Sequence, residues 1–98
     1  MLSIELAGDP RLQRALQASY EYWSGEDQPV EQRLICFRWI KNRCRARFGM
    51  ALTRAQFDRL WRLGLLEKAD TSRGGDRRYY RLCDPEAIRC LVERFRQN

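Results

Sequence analysis

Between Leu52 and Leu82 the chain runs LTRAQFDRLWRLGLLEKADTSRGGDRRYYRL, an order of residues that a short capped helix, a stop and a hairpin together account for. Thr53 suits an N-cap, and Gln56 stands three residues on, the spacing at which two such side chains cap each other's backbone N–H groups. Phe57, Leu60 and Trp61 recur on one face of a helix from Thr53 to Leu63 and are expected to pack inward. Gly64 stops that helix. Leu65 to Asp70 and Arg77 to Leu82 read as two strands, joined by Thr71-Ser72-Arg73-Gly74-Gly75-Asp76, whose glycines supply the positive φ that hairpin loops need. Alternation along the second strand puts Tyr80 and Leu82 on the core side and Tyr79 and Arg81 outward.

A short helix followed by a basic hairpin is the layout of a winged helix. The run Gly64-Leu65-Leu66, the Gly/Arg loop, and Arg78-Tyr79-Tyr80-Arg81-Leu82-Cys83-Asp84-Pro85-Glu86 resemble the ArsR and PadR families of transcriptional repressors. The likeness covers about a third of the chain. In those families the second strand of the wing carries the tyrosine pair followed by Arg-Leu, and a dimerising helix begins near the Asp-Pro. The resemblance implies an α+β winged helix-turn-helix, mostly helical, with a two-stranded or three-stranded antiparallel wing, working as a dimer on double-stranded DNA. Two features depart from the family pattern: the helix from Thr53 to Leu63 is roughly one turn shorter, and the connection Gly49-Met50-Ala51-Leu52 is longer. The metal-binding cysteine pair of ArsR proteins has no counterpart here.

Ninety-eight residues make one domain, spanning 1–98, with room for a single modest core. An apolar content of 44% beside 33% charged residues suits a soluble globular chain. The apolar runs fall well short of the roughly 18 residues a membrane span requires, and MLSIELAGDP lacks the basic start and long apolar stretch of a secretion signal. The expected location is the cytosol, with no membrane partner.

Charge is segregated. Residues 1–31 hold six acids against Arg11 and Arg14, a net of −4, whereas residues 32–98 hold seventeen bases against seven acids, a net of +10. Seventeen of the nineteen basic residues are arginine, whose planar fork suits phosphates and guanine edges better than a lysine point charge does. Arginine content can also reflect genomic base composition alone, but Arg73, Arg77 and Arg78 cluster at one hairpin loop, which argues for a polyanionic partner.

Around this unit, Asp9-Pro10 opens a helix with Leu12, Leu16, Tyr20 and Trp23 on one face, closed by Ser24-Gly25. A second helix is expected from about Val30 to Phe48. Val30, Leu34, Phe37, Cys44 and Phe48 line one side of it while Ile35, Trp39 and Ala46 project from the other, a pattern that asks for cover on both sides. Arg38, Lys41 and Arg45 occupy its polar sector, the side that crosses a phosphate backbone in a helix-turn-helix. The last helix, from Pro85 to about Arg96, carries the stripe Ile88, Leu91, Val92 and Phe95. Ile35, Trp39, Leu91 and Phe95 are therefore the expected surfaces of a homodimer.

On the helix from Thr53, inward Phe57 and Leu60 turn Ala55, Asp58, Arg59 and Arg62 outward, with Arg54 and Gln56 flanking. Arg54, Gln56, Arg59 and Arg62 are the candidate base readers, Arg38 and Arg45 the candidate phosphate contacts, and Arg73, Arg77 and Arg78 the candidate anchors at the wing tip. Histidine is absent, no Gly-rich loop precedes a helix, and no paired carboxylates mark a site, so neither catalysis nor a cofactor is expected. Cys36, Cys44, Cys83 and Cys90 lack metal-ligand spacing and read as small hydrophobes, except that Cys90 falls opposite the apolar stripe of its helix, where a sensing thiol would need to be. Two other functions use the same features: a winged helix that docks proteins, and a small RNA-binding module working through the same basic face.

Overall fold

Asp9 decides where the first helix begins: its Oδ1 accepts the Leu12 N–H at 3.1 Å, and Pro10 occupies the first turn, where a missing N–H has no consequence. The computed structural model describes residues 6–69 and 78–96. Helix α1 spans Pro10–Ser24 and buries not only Leu12, Leu16 and Trp23 but also Ala15, Gln17, Ala18 and Ser19. It is the central helix, with the other three packed around it. Small residues make this possible, and Ser19 sheds its hydroxyl cost by donating to the Ala15 carbonyl at 2.8 Å. Leu6, from a stretch whose pattern favours no one structure, is fully buried in the same core.

The long second helix does not form. Val30–Gln32 makes a single 3-10 turn, the chain then extends, and α2 occupies only Phe37–Phe48. The break exists because Ile35 pairs antiparallel with Tyr80, its N–H donating to the Tyr80 carbonyl at 2.9 Å and its carbonyl accepting the Tyr80 N–H at 2.8 Å. Extension also resolves the two-sided pattern. Ile35, Ile40 and Cys44 all reach one core, with Ile35 fully buried. Ile35 is therefore a core residue of the chain itself and offers no surface to a second copy. Gly49, at φ 62°, closes α2, a left-handed geometry that favours glycine.

After a turn that buries Met50 and Leu52, Thr53 caps α3, Arg54–Arg62. Phe57 and Leu60 are fully buried, as their spacing requires. Trp61 is not: it stays 36% exposed on the flank of α3, with the Lys68 ammonium 4.2 Å from its ring centre. At 3.6 residues per turn, Phe57 and Leu60 define the inward direction and Trp61 falls to one side of it. Gly64, at φ 81°, reverses the chain into β1, Leu66–Lys68. This strand pairs antiparallel with β2, Tyr80–Leu82, in the register Leu66 opposite Leu82 and Lys68 opposite Tyr80. Tyr80 and Leu82 face the core, as alternation dictates. The ladder is shorter than the two expected strands, and loop residues 70–77, with Arg73 and Arg77, lie outside the described residues.

Helix α4, Pro85–Arg96, starts at Asp84, whose Oδ1 accepts the Ala87 N–H at 3.2 Å. Its Ile88 and Val92 are buried, and Leu91 and Phe95 lie half-buried against the chain's own core. Among the described residues, four helices and a two-stranded antiparallel sheet, in the order helix, extended segment, two helices, hairpin, helix, make an α+β arrangement compatible with a small winged helical fold. Phe57 sits at its centre, ring against Phe37 at 5.7 Å and against Tyr80 at 5.2 Å. Phe57→Ala should cost about 3–5 kcal/mol of stability in urea unfolding, since the vacated space has aromatic walls that collapse poorly. A loss under about 1 kcal/mol would show that the core is not closed around that ring.

Candidate nucleic-acid interface

The capping box that fixes the start of α3 also decides what its first turn can offer. Thr53 Oγ1 accepts the Gln56 N–H at 3.2 Å, and Gln56 Oε1 accepts the Thr53 N–H at 2.9 Å. A glutamine reading adenine needs its carbonyl oxygen and its amide nitrogen together. In this structure the oxygen of Gln56 is already engaged, which makes Gln56 a cap first and a poor base reader. The same spacing that identifies the helix start thus removes one of the expected readers.

Arg54 in that turn, and Arg59 and Arg62 after it, are exposed on α3. Arg54 Nε lies 3.4 Å from Asp58 Oδ1, and its guanidinium sits over the Phe37 ring at 5.3 Å. Lys41 of α2 approaches the same ring at 6.0 Å, so Phe37 gathers a cation from each helix at the start of α3. Near the other end, Trp61 and Lys68 join α3 to the hairpin. The Arg54–Asp58 pair, with its side chains 48% and 31% exposed, is worth only about 0.3–0.5 kcal/mol.

On α2, Arg38, Lys41 and Arg45 are exposed. Two other arginines of the same helix are not available in that way. Arg43 and Arg47 both reach Glu21 of α1, at 3.3 and 3.5 Å, and Gln17 Nε2 donates to the same carboxylate at 3.0 Å. Glu21, with its side chain 16% exposed, pins α2 to α1. Sequence patterns carried no sign of this hub, because its members are far apart in the chain. On β2, Arg78 is exposed at the approach to the strand and Arg81 stands opposite Glu67.

Trp39, expected at a dimer surface, has partners within the chain: it stacks on Tyr22 at 5.4 Å and meets Tyr79 at 5.7 Å. No group of three metal-ligating side chains occurs among the described residues, and no helix there is long and apolar enough to cross a membrane. Cys36 and Cys44 are buried, whereas Cys83 and Cys90 are exposed. Burial pushes the Cys44 thiol up to about 11, and burial with Glu67 nearby raises Cys83 as well. At pH 8 a thiol-reactive disulfide should therefore label two of the four cysteines in the folded protein, Cys90 before Cys83, with Cys36 and Cys44 reacting only in denaturant. Four thiols reacting at one rate would contradict these burial assignments.

Compared with known proteins, the chain matches no family model, no curated protein and no solved structure.

Proposed function

We propose that the protein is a winged helix-turn-helix regulator that binds double-stranded DNA, with α3 in the major groove and the hairpin on the flanking backbone. The observation that carries this reading is the exposed row Arg54, Arg59 and Arg62 on a capped helix, held between the cations of α2 and the hairpin. An N-terminally capped helix of this length enters the major groove without fraying, and arginine is the side chain that grips guanine O6 and N7 in a bidentate way. Arg38, Lys41 and Arg45 contact phosphates on one side and Arg78 on the other. Arg59 and Arg62 do the reading. Asp58 sharpens it, because a carboxylate facing the groove repels phosphate and tolerates a cytosine amino group.

The active form is a homodimer. Its support is the outer edge of α4, where Leu91 and Phe95 are packed on the core without being fully covered by it. Two copies joined there place two α3 helices on successive turns of the groove, about 34 Å apart, and call for an inverted-repeat site.

A salt series on duplex DNA tests the reading. With about six phosphate contacts, log affinity should fall with log salt at a slope near −5. Arg59→Ala and Arg62→Ala should each cost about 1–3 kcal/mol on a selected site and little on random duplex, while Arg38→Ala with Arg45→Ala should weaken every sequence alike. A flat salt response, or tighter binding to RNA than to duplex DNA, would overturn the proposal. Light scattering at tens of micromolar should give twice the chain mass of 11.8 kDa, and a strict monomer that still binds tightly would remove the dimer.

A further inference from the structure

Arg54 is the first residue of α3, and the cap at Thr53 fixes the turn it belongs to. Two contacts hold its side chain. Its Nε lies 3.4 Å from Asp58 Oδ1, one turn further along the helix, and its guanidinium carbon sits over the Phe37 ring of α2 at 5.3 Å. An exposed ion pair at this spacing favours one arrangement by roughly twofold, and a cation over a ring at an exposed site by roughly two- to fivefold more. Together they make one placement of the guanidinium roughly four to ten times as populated as on a bare helix. An arginine that settles on a base edge gives up rotamer freedom, and a side chain already ordered has less to lose.

The held placement has a chemical direction. With Nε turned to the carboxylate, the end of the fork, Nη1 and Nη2, is the edge that this half-exposed side chain has for a ligand. Two parallel N–H donors with no acceptor match an edge that carries two acceptors, and in the major groove that edge is guanine O6 and N7. Adenine sets an amino donor beside its N7, and cytosine presents an amino donor, so each would set a donor against the fork. The place in the fold agrees, since the first residues of a recognition helix are those that reach base edges, and the helix start adds a partial positive charge. Lys41 approaches the same Phe37 ring from α2 at 6.0 Å, which sets a phosphate-binding cation beside the base-reading one.

We propose that Arg54 is a third reader, beside Arg59 and Arg62, that takes a guanine through O6 and N7, and that Asp58 is a positioning residue that holds its fork over Phe37 for that contact. The proposal rests on the DNA-binding reading above and goes beyond it by naming the base and the residue that aims the side chain.

Two measurements on the intact chain test it, the first without DNA. In the free protein the Arg54 Nε–H signal should be resolved and ordered, with a positive heteronuclear NOE, and Asp58→Ala should return it to the shift and mobility of a free arginine. For the second, a duplex recovered from a random pool by the unmodified protein is the probe, and 7-deazaguanine, which has carbon in place of N7, replaces each of its guanines in turn. At one guanine the replacement should lower affinity about fivefold, the lower end of what a bidentate contact discriminates. In Arg54→Ala that sensitivity should vanish at that guanine, and the ratio of affinity for the recovered duplex to affinity for random duplex should fall about fivefold or more. A mobile Arg54 in the unmodified free protein, or an Asp58→Ala variant in which its signal is unchanged, would overturn the positioning role. A recovered duplex in which every 7-deazaguanine effect survives Arg54→Ala would overturn the guanine contact while leaving the DNA-binding reading intact. Failure to bind any duplex would overturn both, and the ordered Nε–H signal would then belong to structure alone.

Discussion

Two hydrogen bonds between Ile35 and Tyr80 hold the architecture together. Tyr80 belongs to β2, so the pairing ties the segment before α2 to the hairpin, while the Tyr80 and Phe57 rings meet edge to face at 79° between planes. One residue thus joins three parts of the chain. Remove the pairing and four backbone groups, the N–H and C=O of both residues, lose their partners in a dry interior, where each unsatisfied group costs about 1–3 kcal/mol. The extended segment would then be free to continue the 3-10 turn into a helix, and α2 would lose its starting point.

That long-range pairing is also where local reading of the sequence stops being sufficient. Helix α1, the Thr53 cap, Gly64 and the inward Tyr80 and Leu82 were legible because each depends on neighbours within a few residues. The run from Val30 to Phe48 satisfies a helical period as well as it satisfies a break, and only Tyr80, distant in the chain, decides between them. The apparent two-sided helix was the trace of that break, which is why Ile35 lies in the core and not at a subunit contact. Trp61 shows a smaller version of the same problem: four residues from Phe57 it shares a face in a coarse count, yet a bulky ring on the flank finds Lys68 instead of the interior.

The arginines separate into two populations. Arg43 and Arg47 are pinned to Glu21, and Arg89 lies between Glu86 and Glu93 on α4, with Glu93 at 2.6 Å. These residues spend their charge within the chain. Arg38, Arg45, Arg62 and Arg78 are exposed on the elements around α3. Composition alone reported a basic half, and the structure divides that basicity into internal bracing and an outward, exposed set. Gln56 makes the same point from the other direction, since a residue chosen as a reader by type is occupied as a cap.

The most direct test of the account is a titration of the isotopically labelled protein with a short duplex, following backbone amides and arginine side chains. If α3 and the hairpin form the DNA-binding face, the largest shifts fall on Ala55, Arg59, Arg62 and Arg78, with Arg38 and Arg45 next, and Glu26, Gln28 and Leu34 stay still. Shifts confined to α4, or spread evenly over the surface without saturation, would contradict it.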